Sequence, residues 1–152
     1  MSGNRVFIDK EHRPIYQALA ATAAAVRTAA EEAGMDRILM ELVNLRVSQL
    51  NGCAYCLDLH TRLALEAGET SQRLAVLPAW RDTAVFSDTE RAALGLAEAL
   101  TILPGGEQRE EIFAKYQGLL SAEQFSVLSW AVVTMNAFNR VSIISGHPVK
   151  PR

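Results

Sequence analysis

The sequence predicts an all-α fold, and three observations carry that expectation. Apolar residues recur at helical spacing through most of the 152 residues. Helix-start signals stand directly before several of these runs: Asp36, Ser87-x-x-Glu90 and Ser121-x-x-Gln124. No segment alternates in the manner of a strand, and no two-residue hairpin turn joins strand-like runs. The length suits one domain over residues 1–152, able to bury about 68–70% of its unfolded surface. No internal repeat or linker divides the chain.

The elements follow in order. After a short polar arm, MSGNRVFIDKEHRP, Pro14 suits a first helical position, and an alanine-rich helix runs on to Gly34. Small side chains there let helices approach closely. Asp36 caps a second helix with Leu39, Leu42 or Val43, Val47 and Leu50 on its apolar side. Asn51-Gly52 stops it. A third helix begins at or just after Cys53 and ends before Gly68. Thr70-Ser71 caps a short fourth helix ending before Pro78, and PAWRDTAVF reads as a loop. The capping box at Ser87 opens a fifth helix. Pro104-Gly105-Gly106 breaks the chain before a sixth, EQREEIFAKYQG, and the capping box at Ser121 opens the longest apolar helix, which ends at Gly146.

Composition narrows the function classes. A net charge of −2 without a basic block argues against nucleic acid. The N-terminal stretch lacks an apolar core of the signal-peptide kind, and no uninterrupted apolar run approaches about 18 residues. These features lead to the expectation of a cytoplasmic protein with no membrane partner. In a reducing compartment a lone cysteine pair is a poor structural staple, and a bridge across three residues would constrain the unfolded chain little.

The chemistry concentrates between residues 41 and 60, ELVNLRVSQLNGCAYCLDLH, which hold both cysteines and one of three histidines. Cys53 stands at a helix N-terminus, where free N–H groups and the helix dipole stabilise a thiolate. Cys53, Cys56 and His60 are spaced i, i+3, i+7 and can share one face. Glu41 interrupts an apolar helix, and antiparallel packing would bring it to the thiols or to His60. As a surface acid it would instead pair with Arg37. Three other readings compete with a redox pair: two inert buried thiols, a zinc site of Cys53, Cys56, His60 and Glu41, and acid–base catalysis by Glu41 and His60 alone. His12 and His147 have nothing in the sequence to tie them to this stretch. Trp80, Trp130 and Met135 read as core or interface. Asn136, Asn139 and Arg140 interrupt the last helix and need partners, either at a subunit contact or in a pocket.

Glu41, eleven intervening residues, then Cys53-x-x-Cys56-x-x-x-His60 resembles the motif of the alkylhydroperoxidase D-like proteins of the carboxymuconolactone decarboxylase superfamily. LRVSQLNGCAYCLDLH, WRDTAVFSDTERAALGLAEALT and NAFNRVSIIS also look like that family, so the resemblance spans about Asp36 to Ser145. One position departs: Tyr55 stands where the best-characterised redox branch often has a histidine. The resemblance implies an AhpD-like helical bundle assembling as a homotrimer or homohexamer. It implies a hydroperoxide substrate attacked by Cys56, with Cys53 as the resolving thiol and Glu41 and His60 as a proton relay. It further implies re-reduction by a dithiol such as dihydrolipoamide, free or on a lipoyl protein. No metal or organic cofactor is required for that chemistry. Position alone leaves the attacking thiol open, since Cys53 is nearer the helix N-terminus and Cys56 nearer His60.

Overall fold

The computed structural model describes residues 4–152 as a bundle of α-helices with no strand among them. The helices are α1 (Ile8–Glu11), α2 (Arg13–Glu32), α3 (Arg37–Asn51), α4 (Ala54–Glu66) and α5 (Ser71–Val76). A 3-10 helix (Leu77–Asp82) leads to α6 (Asp88–Ile102), α7 (Gly106–Leu119) and α8 (Ala122–Ser145).

Local chemistry sets the boundaries. Asp36 accepts from the Leu39 N–H at 2.8 Å and starts α3. Ser87 with Glu90 and Ser121 with Gln124 form reciprocal capping boxes on α6 and α8, as the sequence predicts. Gly52 and Gly146 end α3 and α8 in the left-handed conformation, at φ 67° and 68°.

Two expectations need correction. Of the N-terminal arm, residues 1–3 lie outside the described residues, but Ile8–Glu11 is a helical turn, too short for any periodicity to reveal. It is held by the Ile8 N–H donating to Ser145 Oγ at 3.2 Å. The stretch after α5 is not all loop, because Pro78 sits in the first turn of the 3-10 helix, where its missing N–H costs nothing. Arg91 anchors this segment through the Trp80 and Thr83 carbonyls, and Trp80 Nε1 donates to Glu98 at 2.8 Å. Burial pushes the Glu98 carboxyl up, but hydrogen bonds from Trp80, Arg81 and Arg46 outweigh it and hold the carboxyl below the usual range.

Helix α3 is the hub, packing on α4, α6 and α8. It is not one-sided, as its pattern suggests. Met40, Val43 and Val47 join one apolar cluster with α6, α7 and α8, while Leu42 and Leu45 join a second with Leu77, Trp80 and Leu94. Helix α2, by contrast, packs mainly on α8 and buries only Ala30. Helix α8 is long and apolar enough, by length and composition, to cross a bilayer. Counting only uninterrupted apolar residues overlooks this, because Asn136, Asn139 and Arg140 interrupt it. It serves as a core helix here: Asn139, Ser142 and Ser145 are buried among the other helices and hydrogen-bonded there.

Candidate active site

The chain reversal from α3 to α4 carries the two cysteines. Gly52 turns the backbone, and the Cys53 N–H then bonds back to the Ser48 carbonyl at 3.1 Å. Cys53 becomes the N-cap of α4, its sulfur accepting from the Cys56 N–H at 3.3 Å. The two cysteines are joined as a disulfide, with Cα atoms 5.3 Å apart. Both are almost fully buried.

Asparagines on α8 hold that reversal in place. Asn51 Nδ2 donates to the Oδ1 atoms of Asn136 and Asn139, each at 2.9 Å, and Asn139 Nδ2 donates to Ser48 Oγ at 3.0 Å. Asn136 in turn donates to Thr101 Oγ1 and accepts from Arg140. None of Asn136, Asn139 and Arg140 lines the cleft, the pocket role expected of them. They satisfy one another and pin the end of α3 to α8, which fixes where Cys53 stands.

Antiparallel packing of α3 on α4 brings Glu41 beside His60. Glu41 Oε2 lies 2.6 Å from His60 Nδ1, and Oε1 accepts from Arg37 Nε at 2.8 Å. The pairing with Arg37 is present, but the surface position is not: Glu41 is 2% exposed. Burial would raise its carboxyl, yet the hydrogen bond and charge of His60, with those of Arg37, overcome this and lower it below the usual carboxylate range. With Nδ1 engaged, Nε2 is the His60 nitrogen left without a partner among the described residues. No hydrogen bond joins His60 to either sulfur. Nor do three or more His, Cys, Asp or Glu side chains among the described residues converge in a manner suited to a metal ion, so the zinc arrangement is not formed in this oxidised geometry.

A cleft of about 700 Å³ opens onto this group between α2, α3, α4 and α8. Glu41, Cys56 and His60 line it, and Cys53 does not. Its walls are mainly apolar, with Val26, Met35, Met40, Leu59, Met135 and Phe138 among them. Met135 is thus both core and cleft wall, and Trp80 is core as expected, whereas Trp130 is exposed. Among the lining residues that escape sequence reasoning are Asp9, Tyr16, Ser142 and His147, and Tyr55, noted only as a departure from the motif, lines the cleft as well. His147 in particular reaches the cleft from the C-terminal tail. Only the residues just before it, the apolar helix and Gly146, hinted that the tail is turned back onto the bundle.

Comparison with known proteins agrees with the fold. The chain is 37% identical over 117 residues to the uncharacterized protein YdfG of Bacillus subtilis, covering 77% of this chain and 80% of that one. Over 71 residues it is 35% identical to the alkyl hydroperoxide reductase AhpD of Mycobacteroides abscessus, covering 47% of this chain and 35% of that protein. A crystal structure from Agrobacterium tumefaciens, of a protein of unknown function put forward as an antioxidant defence protein AhpD, superposes with a TM-score of 0.84 at 26% identity. That likeness covers 97% of this chain and 100% of the other. The profile of the carboxymuconolactone decarboxylase family matches residues 14–99, from the start of α2 through both cysteines and into α6. With its all-helical, AhpD-like fold, the chain belongs to the carboxymuconolactone decarboxylase family.

Proposed function

We propose that the protein is a thiol peroxidase that reduces organic hydroperoxides through the Cys53–Cys56 pair. The observation that carries this reading is the asymmetry of the disulfide: only Cys56 lines the cleft, on the same wall as the Glu41–His60 pair. In the reduced protein the Cys56 thiolate attacks the terminal oxygen of ROOH. An S–O bond forms, the O–O bond breaks, and a proton from His60 converts the departing alkoxide to ROH. Cys53 then attacks the sulfenic sulfur, forming the disulfide and releasing the oxygen as water. A dithiol such as dihydrolipoamide, free or on a lipoyl protein, supplies two electrons and two protons to restore both thiols. Glu41 keeps His60 oriented and balances its charge when protonated.

The second reading is acid–base chemistry on a lactone or related carbon acid by Glu41 and His60, without the thiols. The family name, and Glu41 and His60 both lining a cleft of this size, favour it. Steady-state hydroperoxide consumption with a panel of dithiol donors, run beside the Cys53→Ser/Cys56→Ser double variant, separates the two. Turnover that needs both thiols supports the peroxidase. Absence of turnover with every donor, together with no loss of free thiols on adding hydroperoxide, rejects it.

A further inference from the structure

The cleft that holds Cys56 contains a second imidazole–carboxylate pair that the scheme above leaves unused. His147 Nε2 lies 3.1 Å from Asp9 Oδ1, and His147 Nδ1 lies 3.1 Å from Ser142 Oγ. All three residues line the cleft, and all three are largely buried. They come from α1, the last turns of α8 and the tail, so only the folded chain brings them together. Gly146 is left-handed, and the turn it makes lets the His147 N–H return to the Ser142 carbonyl at 3.1 Å. The imidazole is then wedged between the Phe7 ring, 5.6 Å away, and the Tyr55 ring, 5.2 Å away. Tyr55 immediately precedes Cys56.

We propose, on the basis of the peroxidase reading, that Asp9, His147 and Ser142 form a second proton relay of this cleft. The Ser142 hydroxyl is its catalytic group, meeting an oxygen of the bound hydroperoxide, and His147 and Asp9 are positioning residues behind it. The chemistry has room for two relays, because two oxygens must leave with protons: the alkoxide in the first step and the sulfenic oxygen in the second. A hydroxyl both donates and accepts, so once His60 has served the alkoxide, Ser142 passes its proton to the sulfenic oxygen as the Cys53 thiolate displaces it from Cys56, while taking one from His147 Nδ1. Asp9 accepts the remaining Nε2–H and fixes the ring orientation, and water returns a proton to Nδ1 after transfer.

Nucleophilic attack by Ser142 itself is a poorer use of the same geometry. Ser142 lies inside α8, where backbone N–H groups are bound to carbonyls one turn back, leaving no local pair to hold an oxyanion. Asp9 and Tyr55 adjoin His147, and the cleft is lined further by Lys10, Tyr16, Arg27, Glu31, Arg37 and Lys150. Any pH profile reads them together with the Glu41–His60 pair.

The test is single-turnover oxidation of the reduced full chain by tert-butyl hydroperoxide, followed as loss of free thiols from about pH 5.5 to 9. Ser142→Ala is expected to slow oxidation about tenfold or more and to flatten one limb of the pH profile. Ser142→Thr, which keeps the hydroxyl, restores most of the rate. His147→Gln and Asp9→Asn flatten the same limb, and the Ser142→Ala/His147→Gln double variant is no slower than Ser142→Ala. Because alanine is a strong helix former, Ser142→Ala retains α8 and its helical circular dichroism. A Ser142→Ala protein with wild-type rate and pH profile overturns the relay. So does a His147→Gln protein altered only in melting temperature, which would make the contact a tie between the chain ends. Wild-type protein that keeps its thiols in the presence of hydroperoxide instead rejects the peroxidase reading, before any variant is compared.

Discussion

Glu41 is a carboxylate within an apolar helix, and its burial is made tolerable by two donors, Arg37 and His60. Its pKa is lowered in the folded protein, so the stability it contributes is present above the unfolded carboxylate value of 4.5 and is lost as pH falls through the lower folded value. Glu41→Gln is therefore expected to flatten the acid limb of the stability curve below that point. It should also slow peroxide reduction by roughly 10²–10⁴ if the pair handles the proton. Rates and acid unfolding that match wild type would reduce Glu41 to a structural partner of Arg37. The cysteines divide by position rather than by burial. Cys53 is capped by the Cys56 N–H, which favours its thiolate, whereas Cys56 faces the cleft. Substrate access decides the first step, so Cys53→Ser should still consume one equivalent of hydroperoxide and leave a sulfenic acid on Cys56, trappable by dimedone. Cys56→Ser should show neither. An adduct on Cys53 in that variant, formed at the wild-type rate, would reverse the assignment.

Helix α6 shows two local rules in conflict. Gly95 lies inside it and is fully helical, a position where alanine would ordinarily add about 1 kcal/mol. An added Cβ, however, would sit 2.0 Å from the Tyr116 hydroxyl and 2.6 Å from its ring carbon, both on α7. Tyr116 is buried in the larger apolar cluster and has little freedom to withdraw. Overpacking of this kind costs about 1–3 kcal/mol, so sterics outweigh propensity. Gly95→Ala should lower the melting temperature by a few degrees, whereas a rise would mean that Tyr116 moves freely. The cap at Asp36 offers a simpler case: Asp36→Ala leaves the Leu39 N–H unpaired and should cost about 1 kcal/mol in a denaturant titration. Caps were legible in the sequence because they depend on residues three apart. The Gly95–Tyr116 contact was not, because it depends on how two helices cross.

The same division runs through the whole molecule. Cys53, Cys56 and His60 stand out by spacing on one helix, and the family resemblance adds Glu41, which spacing alone leaves open as a surface acid. Asp9, Ser142 and His147 do not, because residues 138 positions apart meet only when both chain ends close on the cleft. An apolar surface remains unpartnered among the described residues. Trp130, Val133 and Ile144 lie on one face of α8 with Ala137 and Arg140 between them, and each of the three is more than half exposed. Helix α2 leaves Ile15 70% exposed and buries a single alanine. Large apolar side chains grouped in this way on a chain that is 49% apolar mark a contact surface, and closed symmetry is the usual way to cover one. The protein is therefore expected to be a homo-oligomer, with the trimer or hexamer implied by its resemblance to the alkylhydroperoxidase D-like proteins. Light scattering at micromolar concentration should return a multiple of 16.6 kDa. Trp130→Glu places a charge on the exposed apolar face of α8 without touching the cleft or the core, and should shift the mass towards one chain while preserving helical content. A wild-type mass of 16.6 kDa would end the assembly prediction. An oligomer unchanged by Trp130→Glu would move the contact from α8 to another face, with α2 the next to test.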